Sequence, residues 1–130
     1  MKELSLENLK QDVELEHYGV YKIYLYSKDT PITINRFLDN DINGLLYIGA
    51  AEKTKLRGRL MNFFKTKNLK FKQNSHSAGY KVKIQPRIQN LIDENTLMYE
   101  VSFSKKAKED EKFDLKKYTN LYGEVPPLNG

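Results

Sequence analysis

Three short runs dense in β-branched and aromatic residues, at 20–26, 45–49 and 97–103, constrain the fold of this chain more than any other feature. Each has the length and composition of a strand and is bounded by turn or polar residues. Asn43-Gly44 is a turn dipeptide that launches the second run, so the first two runs are expected to pair antiparallel. Around them lie segments with helical periodicity. Leu6, Leu9 and Val13 mark a helix over 3–17, which Gly19 stops, with Ser5 as its cap. Leu56, Leu60, Phe63 and Phe64 mark one over 54–66, with Thr54 as cap. Ala107, Leu115, Tyr118 and Tyr122 mark one over 105–122 that ends at Gly123. Pro86 opens a short helix over 87–92. The polar stretch 27–43, with Pro31, reads as a long loop, and 67–85 has no clear period. The expected fold is α/β, a small three-stranded mixed or antiparallel sheet flanked by helices, in a single domain over 1–130.

Several chemistries fail on specific residues. The chain has no cysteine, which removes disulfide scaffolds, thiol catalysis and thiolate zinc sites. His17 and His76 are the only histidines, too few for a histidine cage. Gly44 to Gly49 begins like a phosphate-binding loop, but Ala50 and Ala51 stand where Lys and Ser/Thr are needed. Asp39, Asp41 and Asn43 begin like a calcium loop, but its closing Glu is Ala50. No apolar stretch approaches the roughly 20 residues that cross a bilayer, and residues 1–10 lack a signal pattern. The expectation is a cytoplasmic protein with no membrane partner.

The charge is unevenly spread. Eleven basic residues fall between Lys53 and Arg87 with no Asp or Glu among them, whereas 1–52 and 88–130 carry net charges of −4 and −2. A cationic block of this kind is the footprint of a polyanion, because Lys and Arg facing phosphates release condensed counterions. The rival reading is a solvated, lysine-rich surface.

Five short pieces then occur in order. They are Gly19-Val20-Tyr21, Tyr47-Ile48-Gly49, Leu56-x-x-Arg59-Leu60, Glu111-x-x-Asp114-Leu115-x-x-Tyr118 and a closing Pro126-Pro127-Leu128-Asn129. Together, over residues 19–129, they resemble the GIY-YIG nuclease family. Twenty-five residues separate Tyr21 from Tyr47, where that family has a tighter connection, so 27–43 would be an insertion. Ala50 stands where many relatives are polar or basic, and Phe63 where some restriction-type relatives carry histidine.

The resemblance implies a metal-dependent endonuclease acting on DNA through its backbone phosphates, as a monomer or weak homodimer. It implies that Tyr47 activates water with Tyr21 alongside, that Arg59 holds the scissile phosphate, that Glu111 ligates Mg²⁺ or Mn²⁺, and that Asn129 orients the phosphate. A guanidinium fork suits phosphate geometry, and one carboxylate suits a hard ion that keeps its waters. A phenol with an ordinary pKa near 10 acts as a base only beside a metal or cations. Lys53, Lys55, Arg57, Lys65 and His76 are the expected further DNA contacts. Each assignment has a plain rival: strand packing for the tyrosines, a solvated cation for Arg59, helix-surface charge for Glu111. The alternative function is a non-cleaving nucleic-acid-binding module on the same fold.

Overall fold

All three apolar runs form strands. In the computed structural model, which describes residues 1–130, they are β2 (Gly19–Ser27), β6 (Leu45–Ala51) and β7 (Thr96–Phe103). β2 lies between β6 and β7 and pairs antiparallel with both. It carries no clean alternation because both faces are covered. Tyr21, Ile23 and Leu25 pack into one core, and Val20 and Tyr24 into another. The first core is closed by Leu9 and Leu15 from the N-terminal segment, by Leu56, Leu60 and Phe63 of α2 (Leu56–Lys67), and by Ala78 and Val82 of α3 (Ser77–Ile84). The second is closed by Tyr118 of α5 (Ala107–Tyr122). Each fully buried aliphatic or Phe side chain contributes about 1.5–3 kcal/mol of transfer free energy.

The expectation of three strands is corrected to five. Two-residue strands β1 (Lys2–Glu3) and β3 (Thr30–Pro31) extend the sheet on β7 and β2, and every pairing is antiparallel. The loop 27–43 holds a miniature hairpin, β4 (Ile34–Asn35) with β5 (Asn40–Asp41). Buried Asp41 fixes it by accepting from the Asn43 and Leu45 amides and from the Tyr118 hydroxyl. α4 (Pro86–Asp93) starts at its proline as expected. α3 emerges from a stretch without legible period.

The N-terminal helix is shorter than its periodicity suggests. Ser5 does cap it, accepting from the Asn8 amide, but α1 spans only Leu6–Gln11, and a 3₁₀ turn follows over Val13–Glu16. The break falls at Asp12, whose carboxylate accepts from the Glu14 amide at 3.0 Å and the Tyr99 hydroxyl at 2.7 Å and pairs with Lys2 at 3.0 Å. A side chain that bonds its own neighbouring backbone competes with the helix. The expected Thr54 cap on α2 does not form; Lys55 is its N-cap residue and makes no side-chain cap bond.

Burial pushes the Asp12 carboxyl up, but the Tyr99 hydroxyl, Lys2 and the Glu14 amide together hold it below its ordinary 3.8. Its stabilisation is therefore present at neutral pH and is lost as pH falls through and below that value. Urea unfolding should show Asp12→Ala destabilised by about 1–3 kcal/mol at neutral pH, with the gap to wild type narrowing in acid. A gap that does not change with pH would show that the ionised carboxylate is not what ties these elements.

Candidate active site

Tyr21 and Tyr47 leave adjacent strands on the same face. Tyr21 is paired with Gly49, and Tyr47 with Ile23, so the two phenols are diagonal neighbours with ring centroids 5.9 Å apart. Gly49 makes this possible: a β-carbon there would run into the Tyr21 ring. The glycine of Tyr47-Ile48-Gly49 is the floor on which Tyr21 lies.

α2 and α3 roof the pair. Phe63 packs edge-on against His76 at 5.3 Å, and His76 in turn lies 5.4 Å from the Tyr47 ring. His76 is the N-cap of α3. Its Nδ1 accepts the Gly79 amide at 3.3 Å, and its Nε2 lies 2.9 Å from the Tyr21 hydroxyl. An Nδ1 that accepts assigns the proton to Nε2, so His76 donates to the Tyr21 oxygen. The Tyr21 hydroxyl proton is then free to point toward Tyr47. Arg59, half-buried on α2, acts on both phenols, and the Ser77 hydroxyl approaches Tyr47. Of the contacts to the two phenols, Tyr21–His76 has full hydrogen-bond geometry, and the others are looser approaches.

Glu111 belongs to α5, which packs on the opposite face of the sheet, and from there its carboxylate acts electrostatically on Tyr47. Glu111 is half-buried and makes only a long 3.8 Å ion pair with Lys108. Burial raises the Tyr47 pKa; Arg59 lowers it, Glu111 raises it, and the Tyr21 and Ser77 hydroxyls lower it, for a net upward shift. Tyr21 is pushed up further, by burial first and then by Tyr47, against the pull of Arg59. Tyr47 is thus the readier of the two to lose a proton.

Other expected contacts are placed differently. His76 is fully buried and cannot touch a phosphate; it supports Tyr21. The Asn129 carboxamide is spent on the strand, accepting from the Ile48 amide at 3.0 Å and donating to the Ile48 carbonyl at 2.9 Å. It holds the backbone beside Tyr47 rather than a phosphate. Arg57 ties α2 to the N-terminal segment through the Leu9 and Asp12 carbonyls, at 2.9 and 2.6 Å, and through Glu16. Lys55 also pairs with Glu16, and Lys65 lies over the Phe71 ring. Further along the cationic block, Lys83 binds the Phe71 and Gln73 carbonyls, and Lys81 holds the Leu128 carbonyl. Lys53, Lys70, Lys72 and Arg87 remain exposed. The block is therefore partly a set of internal ties.

No group of three or more His, Cys, Asp or Glu side chains could cage a metal. Glu111 alone is a hard oxygen donor that fits an ion keeping most of its water shell, such as Mg²⁺. Sequence reading missed Ser77 and the supporting role of His76, because α3 was not legible; the cap pattern His76-x-x-Gly79 was the available signal. No protein-family model, curated protein or solved structure matches the chain.

Burial, and then the Arg59 charge, lower the His76 pKa from 6.5 to about 4. The folded state thus favours neutral imidazole, and this stabilisation is complete above about 6.5 and declines as pH falls toward 4. Wild-type stability should fall across that window by up to roughly 3 kcal/mol more than that of His76→Gln. Urea midpoints at stepped pH measure this, and parallel curves would contradict the buried neutral ring.

Proposed function

We propose that this chain is a divalent-metal-dependent endonuclease that hydrolyses DNA phosphodiester bonds at the Tyr21–Tyr47 edge of its sheet, with a GIY-YIG-like arrangement. The observation that carries the reading is the tilted pair of phenols from β2 and β6, with the Arg59 guanidinium of α2 acting on both and the Glu111 carboxylate of α5 within electrostatic reach of Tyr47. The exposed cations Lys53, Lys70, Lys72 and Arg87 are free of internal ion pairs and available to phosphates. No helix is long and apolar enough to cross a membrane.

In this reading Arg59 takes a phosphoryl oxygen in its fork and holds the scissile group over Tyr47. Tyr47 first gives up its own proton to solvent; its phenolate oxygen then receives the proton of the attacking water as the water oxygen bonds to phosphorus, the bridging P–O bond breaks, and the departing oxygen takes a proton from solvent. His76 donates to the Tyr21 oxygen, which turns the Tyr21 hydroxyl toward Tyr47 and steadies the phenolate there. Glu111 would hold a divalent ion, which would supply positive charge for the developing phosphoryl oxygens and offset the carboxylate that opposes ionisation of Tyr47. Asn129 keeps β6 in place during these steps. The burial of both phenols favours the second reading, a module that binds nucleic acid without cutting it.

Plasmid nicking with Mg²⁺ or Mn²⁺ separates the two. Wild type should nick; Tyr47→Phe should lower the rate by about 10²–10⁴-fold; Glu111→Gln should abolish nicking while DNA binding survives. Salt-dependent binding without turnover in either metal would favour the binding module. Residual cutting by Glu111→Gln would remove that carboxylate from the metal role.

A further inference from the structure

The ends of β2, β6 and β7 meet in a concave feature away from the tyrosine pair. Gly19 is paired with both Ala51 and Phe103, which brings together the residues just outside all three strands. They form an open cleft of about 610 Å³ lined by His17, Tyr18, Glu52, Phe103, Ser104 and Lys105. This volume suits a small organic group. The walls are aromatic yet left in water, with Phe103 55% and Tyr18 43% exposed. The His17 ring lies 4.5 Å from the Phe103 ring, tilted by 42°. The cleft is also preformed: the Ser104 amide donates to the Tyr18 carbonyl at 3.1 Å, and the Leu56 amide to the His17 carbonyl at 2.9 Å. These bonds fix the walls without filling the space between them.

The chemistry selects the occupant. Flat aromatic surfaces call for a flat aromatic guest, and cations call for one attached to negative charge. Lys105 and Glu52 are in the wall; exposed Lys53 and Lys106 adjoin lining residues in the chain, the adjoining Glu16 is paired with Lys55 and Arg57, and Asp110 accepts from the Ser104 hydroxyl, so the balance around the cleft is positive. A nucleobase joined to its phosphate meets both demands, whereas an aromatic side chain of a protein meets only the first. The position also fits. Gly19 is two residues from Tyr21 on β2, about 7 Å along the strand, and Lys105 leads into the helix that carries Glu111.

We propose that the His17–Tyr18–Phe103 cleft holds one unpaired nucleobase of the DNA strand bound at the tyrosine site, with the adjoining phosphate against Lys105. A base inside a duplex is stacked and cannot enter, so the preferred substrate has an unpaired nucleotide beside the cleavage site: an overhang, flap, gap or mismatch. The proposal rests on the nuclease reading for the identity of the bound strand.

The test compares a blunt duplex with the same duplex extended at either end by a short single strand containing 2-aminopurine, in metal-free buffer with the full chain. The extension should tighten binding at least about fivefold and quench the 2-aminopurine fluorescence. Phe103→Ser and Tyr18→Ser should each remove this gain and leave blunt-duplex binding unchanged. Both side chains are substantially exposed, so an unchanged far-UV spectrum is expected, and Lys105→Glu gives a third variant that leaves the aromatic walls alone. Equal affinity for both duplexes, or a gain that survives Phe103→Ser and Lys105→Glu, overturns the proposal. Nicking activity by wild type with no such gain rejects the cleft and keeps the nuclease. A gain lost in Phe103→Ser, in a protein that never nicks, keeps the cleft and rejects the nuclease.

Discussion

The ring of Tyr21 lies on the backbone of Gly49, and no residue with a β-carbon could take that place without displacing the ring. This contact depends on the register of β2 against β6, in which Tyr21 faces Gly49 and Ile23 faces Tyr47. A slip of one residue would turn every side chain of β6 to the other face. Tyr47 would then leave the α2–α3 side, and its neighbours Ile48 and Leu45 would leave the α5 core. The geometry of the candidate site and the packing of both cores are thus fixed by one strand pairing.

Around that pairing the remaining groups divide into those that meet the surface and those that hold them. Tyr21 and His76 are fully buried, and their hydrogen bond, together with the Gly79 amide on Nδ1, leaves the pair little freedom. Asn129 imitates a strand partner for Ile48, and the Leu128 amide bonds the Leu46 carbonyl, so the C-terminal tail covers part of the exposed β6 edge. Gly123, at φ +82°, ends α5 in a left-handed turn and sends the tail back toward that edge. Half-buried Arg59 and Glu111 are the charged groups that act on Tyr47, with opposite effects on its ionisation. A buried polar support beneath partly exposed functional groups is the arrangement expected where geometry must be held closely.

The cationic block shows how a linear count overstates a surface. Eleven basic residues without an acid among them look like a continuous footprint. In three dimensions Arg57, Lys81 and Lys83 are bound to carbonyl oxygens, and Lys55 pairs with Glu16, which lies far away in sequence. Long basic side chains can lay apolar stems along a core and end on buried acceptors as readily as they can reach solvent. What remains exposed is a sparser set running from Lys53 to Arg87.

The chain read segment by segment already held the three long strands, α2, α4 and α5, the turn at Gly44 and the order of Tyr21, Tyr47, Arg59 and Glu111, because apolar periodicity, proline and glycine act locally. It did not determine where α1 would break. Asp12 gives up the helix for Tyr99, a partner 87 residues away. Nor did it determine α3, whose short apolar stripe gains meaning only once Phe63 and Thr66 lie above it, or the roles of His76 and Asn129, which depend on what each side chain meets across the fold. Only the assembled fold puts Glu111, on the opposite face, within electrostatic reach of Tyr47, and closes the ends of three strands into an aromatic cleft. Both depend on strand register and helix placement, which are set by the packing of the whole core and not by any segment within it.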